Sequence, residues 1–416
     1  MKGDPAASGV RCAGSHAFGW LVASNAVGVM LATWLAWPAA GGGIGEMGYG
    51  RWLPVHLDGQ LYGWTALPLI GWLFAIYQVG RGGRTAVGAW SVALGIGALW
   101  CLAGMGSGKL FLDWAGGSLA AWLAAAVVLW LVLALGWWRA GTGDWTLAGR
   151  GWRGLGLALL AVVPVSMVWA ASPKIYPPID PTTGGPTGAS LLGSTLLVVA
   201  LLLMLPRVPA LGRRRAGGGW LWGLWAAEFL FWVVLEARGG SHFSAAQIFA
   251  LALLLPWLVL VPLDWAGFNW PAAGDGWRRN VFGWWGLLVA SGFLVFLPGV
   301  LDRSKFTQVL VAHSHLAMAG FTSSFVMLLL VRLGGWSGGA AWLRWTWNIA
   351  LGGQLVLLSW MGWREGGGAE WMIEPPAWRI AGMWLRLTCG VVMLAVSVAW
   401  WIGWSRDGPD DTQHEH

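Results

Sequence analysis

The sequence predicts an all-α fold, a polytopic transmembrane bundle of about twelve helices. Three observations predict it. Of the 416 residues, 57% are hydrophobic and only 10% charged, with a mean hydropathy of +0.62; a water-exposed domain carries roughly 25% charged residues, so most of this surface must face lipid. Apolar stretches near the spanning length of about 20 residues recur along the whole chain. The 38 Trp sit in many cases at the ends of these stretches, where indole favours the headgroup zone.

The elements follow in order. The stretch 17–37 comes after a polar start, is longer than the apolar core of a signal peptide and has no clear cleavage site, so it reads as a retained helix. Span 54–79 carries His56 near its start. Spans 87–105, 118–138 and 153–172 follow, and the connections along the chain are mostly short and rich in Gly, Pro and Arg. Span 187–206 is fed by Tyr176-Pro-Pro-Ile-Asp180-Pro-Thr-Thr-Gly-Gly-Pro-Thr187, whose Pro and Gly density fixes turns and reads as an ordered loop. Span 219–237 contains Glu228, span 243–265 opens beside His242, and span 281–301 precedes 306–332, which holds His313 and His315. Spans 342–361 and 377–404 complete the set. Residues 1–405 read as a single transmembrane helical domain and 406–416 as a short polar C-terminal tail, with no repeat of fixed period.

Lys and Arg set the orientation. With the N-terminus inside, the inner loops hold sixteen of them, among them Lys2, Arg11, Arg213, Arg214, Arg215, Arg278 and Arg279. The outer loops hold eight: Arg51, Lys109, Lys174, Arg238, Arg303, Lys305, Arg364 and Arg379. The positive-inside rule places both termini in the cytoplasm, so the chain reads as an integral protein of a bacterial-type cytoplasmic (inner) membrane. The net charge of +7 lies in these loops and does not indicate nucleic acid. Cys12, Cys101 and Cys389 form no CxxC or CxxCH, which argues against a disulfide framework, a zinc site and covalently attached c-type haem.

Seven His are present. His16 precedes the first span, and His414 and His416 lie in the tail. His56, His242, His313 and His315 remain, and an ionisable residue within a span reads first as functional; the plainer alternative is an imidazole bonded to a neighbouring helix. His56, His313 and His315 fall early in spans that run the same way, so they share a depth in the outer part of the membrane. Positions two apart on a helix point about 200° apart, so His313 and His315 cannot both ligate one metal from a regular helix; they can serve two separate centres, and His56 can complete one of them. Two imidazoles on one iron make a low-spin haem for electron transfer; one leaves an open side for a small gas.

The motif Arg51-Trp-Leu-Pro-Val-His56-Leu-Asp-Gly-Gln-Leu-Tyr62-Gly-Trp64 resembles the second helix of subunit I of the haem-copper oxidase superfamily. Lys305-Phe-Thr-Gln-Val-Leu-Val-Ala-His313-Ser-His315-Leu-Ala-Met-Ala-Gly320-Phe is similar to its tenth helix. The nearest branch is that of the C-type cytochrome c oxidases and nitric oxide reductases. The resemblance implies a haem-copper oxidase subunit I-like fold, with His56 and His315 as axial ligands of a low-spin haem and His313 as proximal ligand of a high-spin haem. It implies Arg51, Arg364, Arg379 and Arg386 as candidates to pair with haem propionates, the alternative being interfacial anchors. One or two haems are expected, b-type, with no copper. A cytochrome c-type or quinol electron donor and other membrane subunits of a respiratory complex are the implied partners.

The departures concern the second metal. The family places three His on its sixth and seventh helices for copper or iron. Here Ser190–Pro206 has none, and matching Leu205-Pro206 to the family's terminal Leu-Pro puts Leu197 near the missing His. Leu224-Trp-Ala-Ala-Glu228-Phe229 stands where the family has a His pair, and the family's cross-linked Tyr has no counterpart. Leu and Ala offer copper no donor. Glu228, the catalytic candidate, has three readings: a proton-transfer group, a weak ligand to a non-haem metal, or a neutral acid hydrogen-bonded inside the bundle. His242 takes the place of an aromatic residue that opens the family's eighth helix and is a lesser metal candidate. Asp58 either tunes the haem surroundings or caps the outer end of its span. The functional expectation is electron transfer through a low-spin haem, with O2 or NO chemistry at a second haem open. A haem sensor or structural subunit is the alternative; a transporter, which would show a polar midplane, fits less well.

Overall fold

The computed structural model of the chain describes residues 5–41, 48–109, 113, 117–141, 145–171, 188–207 and 218–407. The loop Tyr176–Thr187, Lys2, Lys174, Arg213, Arg214, Arg215 and the tail with His414 and His416 lie outside them. Among the described residues the fold is all-helical, without a strand. Among the described residues eight helices are long and apolar enough to cross a membrane, including Gly82–Leu102, Gly117–Arg139, Gln308–Leu333 and Ala377–Arg406; Gly188–Met204 is apolar but shorter. These features are compatible with an integral membrane protein.

Each of the twelve expected spans overlies helix, with shifted ends. The first helix runs Pro5–Ala36, so His16 lies within it rather than before it. Pro at a first helical position is favourable because its missing N–H would be unsatisfied there anyway. The helix expected at 281–301 runs Asp275–Val295. Asp275 in its first turn suits the positive helix end and pairs with Arg278 at 3.0 Å, so helix extends through residues that hydropathy assigns to a loop. Around Pro256 the stretch expected at 243–265 is broken into Ala245–Ala252 and Leu255–Ala266, since Pro lacks the N–H that continues the ladder.

Contacts divide the chain into two compact units. The first comprises Met1–Pro178, Phe325–Gly353 and Ala377–His416. In it Pro5–Ala36 packs along Ala377–Arg406 and against the Tyr49–Tyr77 stretch. Phe18 is the centre of an aromatic cluster, with ring centroids 5.3 Å from Trp64, 5.4 Å from Trp336 and 5.5 Å from Trp404. Gly14 permits this approach, since a Cβ there would lie 2.3 Å from the Trp404 ring.

The second unit comprises Ile179–Ser324 and Gln354–Pro376. Indole N–H groups tie its helices: Trp225 donates to the Leu196 carbonyl at 2.7 Å, Trp265 to Leu202 at 2.8 Å and Trp285 to Trp257 at 3.0 Å. A buried indole needs such an acceptor. Arg207 holds the buried Asp264 carboxylate through two bonds, of 2.8 and 2.9 Å; paired bonds of this kind are the strong form of the interaction.

Candidate functional site: three oriented imidazoles

His56 lies in the helix Tyr49–Asp58, which starts five residues before the expected span and carries Pro54 inside it. A row of Trp20, Ser24 and Gly28 on the first helix, four residues apart, meets this stretch. The His56 Nδ1 is 2.7 Å from the Ser24 carbonyl oxygen. A Cβ on Gly28 would lie 2.7 Å from Cε1 of the imidazole; one on Gly59 would meet the Ser24 hydroxyl at 2.2 Å, and one on Gly63 the Trp20 side chain at 2.5 Å. The ring is therefore seated in a slot that absent side chains create.

His313 and His315 lie in the regular helix Gln308–His315, whose N-cap Thr307 accepts from the Val309 N–H. Regular α geometry sends their side chains about 200° apart. His313 faces the helix Asp275–Val295: its Nδ1 is 3.3 Å from the Ser291 hydroxyl, its ring lies edge-on to Phe296 at 5.7 Å, and a Cβ on Gly292 would touch Cε1 at 3.4 Å. His315 Nδ1 is 2.8 Å from the Val311 carbonyl.

Two of these partners fix a tautomer. A carbonyl only accepts, so Nδ1 of His56 and of His315 must carry the proton, and these two rings keep the lone pair on Nε2. The Ser291 hydroxyl, which both donates and accepts, lies 3.3 Å from Nδ1 of His313 and 3.3 Å from the Leu288 carbonyl. A metal-binding His characteristically gives its other N–H to a carbonyl or similar acceptor, which fixes ring and tautomer, so the His56 and His315 rings are set as a ligating imidazole would be.

A feature that hydropathy does not reveal accompanies them. Directly after the His56 helix the chain winds into a π-helix, Gly59–Thr65, and directly after the His313–His315 helix into a second, Leu316–Thr322. His56 and His313 each stand three residues before their π segment. Such widened turns gather at functional sites. Side-chain donors take up carbonyls there: Trp90 donates to Tyr62 at 2.9 Å, Thr65 to Gln60 at 3.1 Å, Ser323 to Met318 at 2.9 Å and Ser324 to Gly320 at 2.7 Å.

The arginines differ. Arg386, half-buried in Ala377–Arg406, lies within electrostatic reach of the His56 ring. Arg51 belongs to the His56 helix rather than to a loop and donates to the Leu102 carbonyl at 3.1 Å. Arg364 is exposed in the last turn of Ala341–Glu365, 5.3 Å from the Trp360 ring. Arg379 stands at the start of the final helix.

Glu228 is 4% exposed, and its Oε2 accepts from the Trp257 indole at 2.6 Å; this is the geometry of an acid bonded within the helices. Leu197 is 62% exposed, so the position matched to a missing ligand faces outward. His242 is buried in a turn ahead of the helix Ala245–Ala252, with Nε2 3.4 Å from Asp302. Asp302 also accepts from Lys305 at 3.0 Å and from the Gly299 N–H at 3.1 Å; the Lys305 ammonium holds its carboxyl below the ordinary range. Asp58 caps nothing, because the helix begins at Tyr49; it is buried at the start of the π segment near Tyr62. Among the described residues, no group of three His, Cys, Asp or Glu is placed to hold a metal ion. No protein-family model matches the chain, and no curated protein matches it at significance.

Proposed function

We propose that this chain is a membrane haem protein that carries electrons through a bis-His low-spin haem and binds a small gas at a second haem. It is built like subunit I of the haem-copper oxidases but without a CuB site. The observation that carries the reading is the setting of His56, His313 and His315: His56 and His315 have Nδ1 committed as a donor to a backbone carbonyl and keep the lone pair on Nε2, and all three lie just ahead of a π-helical segment. His56 and His315 are assigned to the low-spin haem and His313 to the high-spin one, on the two motifs. Arg386 and Arg51 are the favoured propionate partners, with Arg364 a third. When bound, the haems supply one-electron transfer and gas binding; the protein's own contribution is to fix ring orientation, pair the propionates and exclude water. The proposed topology is twelve spans in the inner membrane with both termini cytoplasmic, and the proposed electron donor is a cytochrome c domain or a quinol within a larger respiratory complex.

The test is the visible spectrum of the purified protein, reduced and then exposed to carbon monoxide. Low-spin bands together with a carbon-monoxide-reactive component are expected. Absence of a Soret band would refute the reading, and low-spin bands alone would remove the second haem.

A further inference from the structure

His242 takes no part in the haem assignment. It lies in the turn ahead of the helix Ala245–Ala252, is 6% exposed, and neither of its ring nitrogens makes a hydrogen bond. A buried polar atom left so is costly. The Phe243 ring lies against the imidazole at 4.1 Å. On the other hand, Nε2 stands 3.4 Å from Oδ1 of Asp302. An N–H···O bond centres near about 2.9–3.0 Å with the hydrogen aimed at the oxygen, and this contact is longer and not so aimed. A tetrahedral Zn2+ takes imidazole nitrogen at about 2.0–2.1 Å and carboxylate oxygen at about 2.0–2.2 Å, which sets the two donor atoms about 3.3–3.5 Å apart. In such a pair the oxygen lies well off the axis of the ring's lone pair, where a hydrogen bond would need it. His242 and Asp302 thus have the spacing of two neighbouring corners of that tetrahedron. The Asp302 carboxylate is also held in place: Oδ2 accepts from the Gly299 N–H at 3.1 Å, and Oδ1 accepts from the Lys305 ammonium at 3.0 Å. The Asp302 and Lys305 side chains are 33% and 26% exposed, which gives an ion a way in and water for the remaining corners.

We propose that His242 and Asp302 form a binding site for a zinc-type divalent cation, with waters completing a tetrahedron and Lys305 as its built-in competitor. Imidazole and carboxylate are donors that Zn2+ takes readily, and a structural zinc is held by four protein ligands; two protein donors and water suit an exchangeable ion. The ion and the Lys305 ammonium need the same oxygen. Two cations that close repel each other, so the ion enters as the ammonium swings away into water. The exchange takes place at the entry to the helix Gln308–His315, two residues before its cap Thr307. The site owes nothing to the two haem motifs and stands whether or not haem binds.

The experiment uses the full-length protein in detergent, washed with chelator. His414→Ala and His416→Ala are present in every sample, so that the tail histidines bind nothing. Zn2+ is titrated calorimetrically, and Co2+ is added separately as an optical probe of geometry. The parent protein is expected to take one Zn2+ per chain at micromolar concentration and to give the intense visible bands of tetrahedral Co2+. His242→Gln and Asp302→Asn should each weaken binding by at least about 100-fold, since removing even an outer partner of a metal ligand costs about 10–100-fold. Lys305→Met should tighten it roughly 2–5-fold, the worth of the exposed ion pair given up, and Lys305→Arg, which keeps the competing charge, should bind like the parent. A gain of affinity on losing Lys305 is not what general damage to this turn would produce, and it decides the matter if the Asp302 variant does not accumulate. A parent protein that takes no Zn2+, a His242→Gln protein that binds as well as the parent, or a Lys305→Met protein that binds no tighter overturns the proposal, and each leaves the haem assignment standing.

Discussion

Replacing Gly28 by Ala puts the seating of His56 to a quantitative test. The added methyl would sit 2.7 Å from Cε1, 3.1 Å from Nδ1 and 3.5 Å from Nε2 of the imidazole. Carbon atoms rest about 3.5–4.0 Å apart, so the ring must retreat by roughly 1 Å. That retreat stretches the 2.7 Å bond to the Ser24 carbonyl. Losing such a bond costs about 0.5–1.5 kcal/mol, and forcing a methyl into a filled site about 1–3 kcal/mol, giving roughly 1.5–4.5 kcal/mol together. The ring also loses the orientation that presents Nε2. Gly50→Ala is the control: it lies on the His56 helix, and nothing stands within 4 Å of its added Cβ. The assay is the low-spin haem absorbance per protein, with the thermal midpoint in detergent. Gly28→Ala should lose most of the low-spin bands and unfold earlier, and Gly50→Ala should do neither. Equal haem content and equal midpoints in the two variants would refute the argument from the slot.

Two further outcomes follow from the same geometry. Glu228→Leu removes the acceptor of the fully buried Trp257 indole and should destabilise by about 1–3 kcal/mol, whereas Glu228→Gln keeps a carbonyl oxygen and should unfold near wild type; a chemical-denaturation series in detergent that ranks Gln at or below Leu contradicts the pairing. Asp302 has its carboxyl held below the ordinary value, chiefly by the Lys305 bond, so its contribution is fully present above the usual carboxylate pKa and is lost as pH falls through the lowered one. Asp302→Asn should therefore flatten the acid limb of the stability profile and leave the neutral region's slope unchanged, and an unaltered acid limb would count against it.

The helical course was legible because sustained hydropathy over about 20 residues marks an apolar helix, and all twelve expected stretches overlie helix. Their ends were less so. The first helix reaches back to Pro5 through His16, whose Nδ1 meets the Ser91 hydroxyl at 2.8 Å; a polar residue with a partner does not end a helix, but it lowers the hydropathy that marks a span. That His313 and His315 point to opposite sides of one helix was legible, because residue spacing on a helix is fixed. Their partners were illegible, since Ser291 and Gly28 are remote in sequence and belong to no pattern. The π segments leave an apolar profile unchanged, as the extra residue alters hydrogen-bond register and not composition. Leu197 shows the limit of matching by a terminal Leu-Pro: Ser190–Met204 is apolar around most of its circumference, so nothing in the sequence said which face turns inward.

Haem and metal content of the purified protein, as wild type and His315→Ala, bears most directly on the central claim. Wild type is expected to hold one or two haems per chain with copper near zero, and His315→Ala to lose the low-spin signal while the protein still accumulates. Stoichiometric copper, or a His315→Ala protein with its low-spin bands intact, would contradict the account.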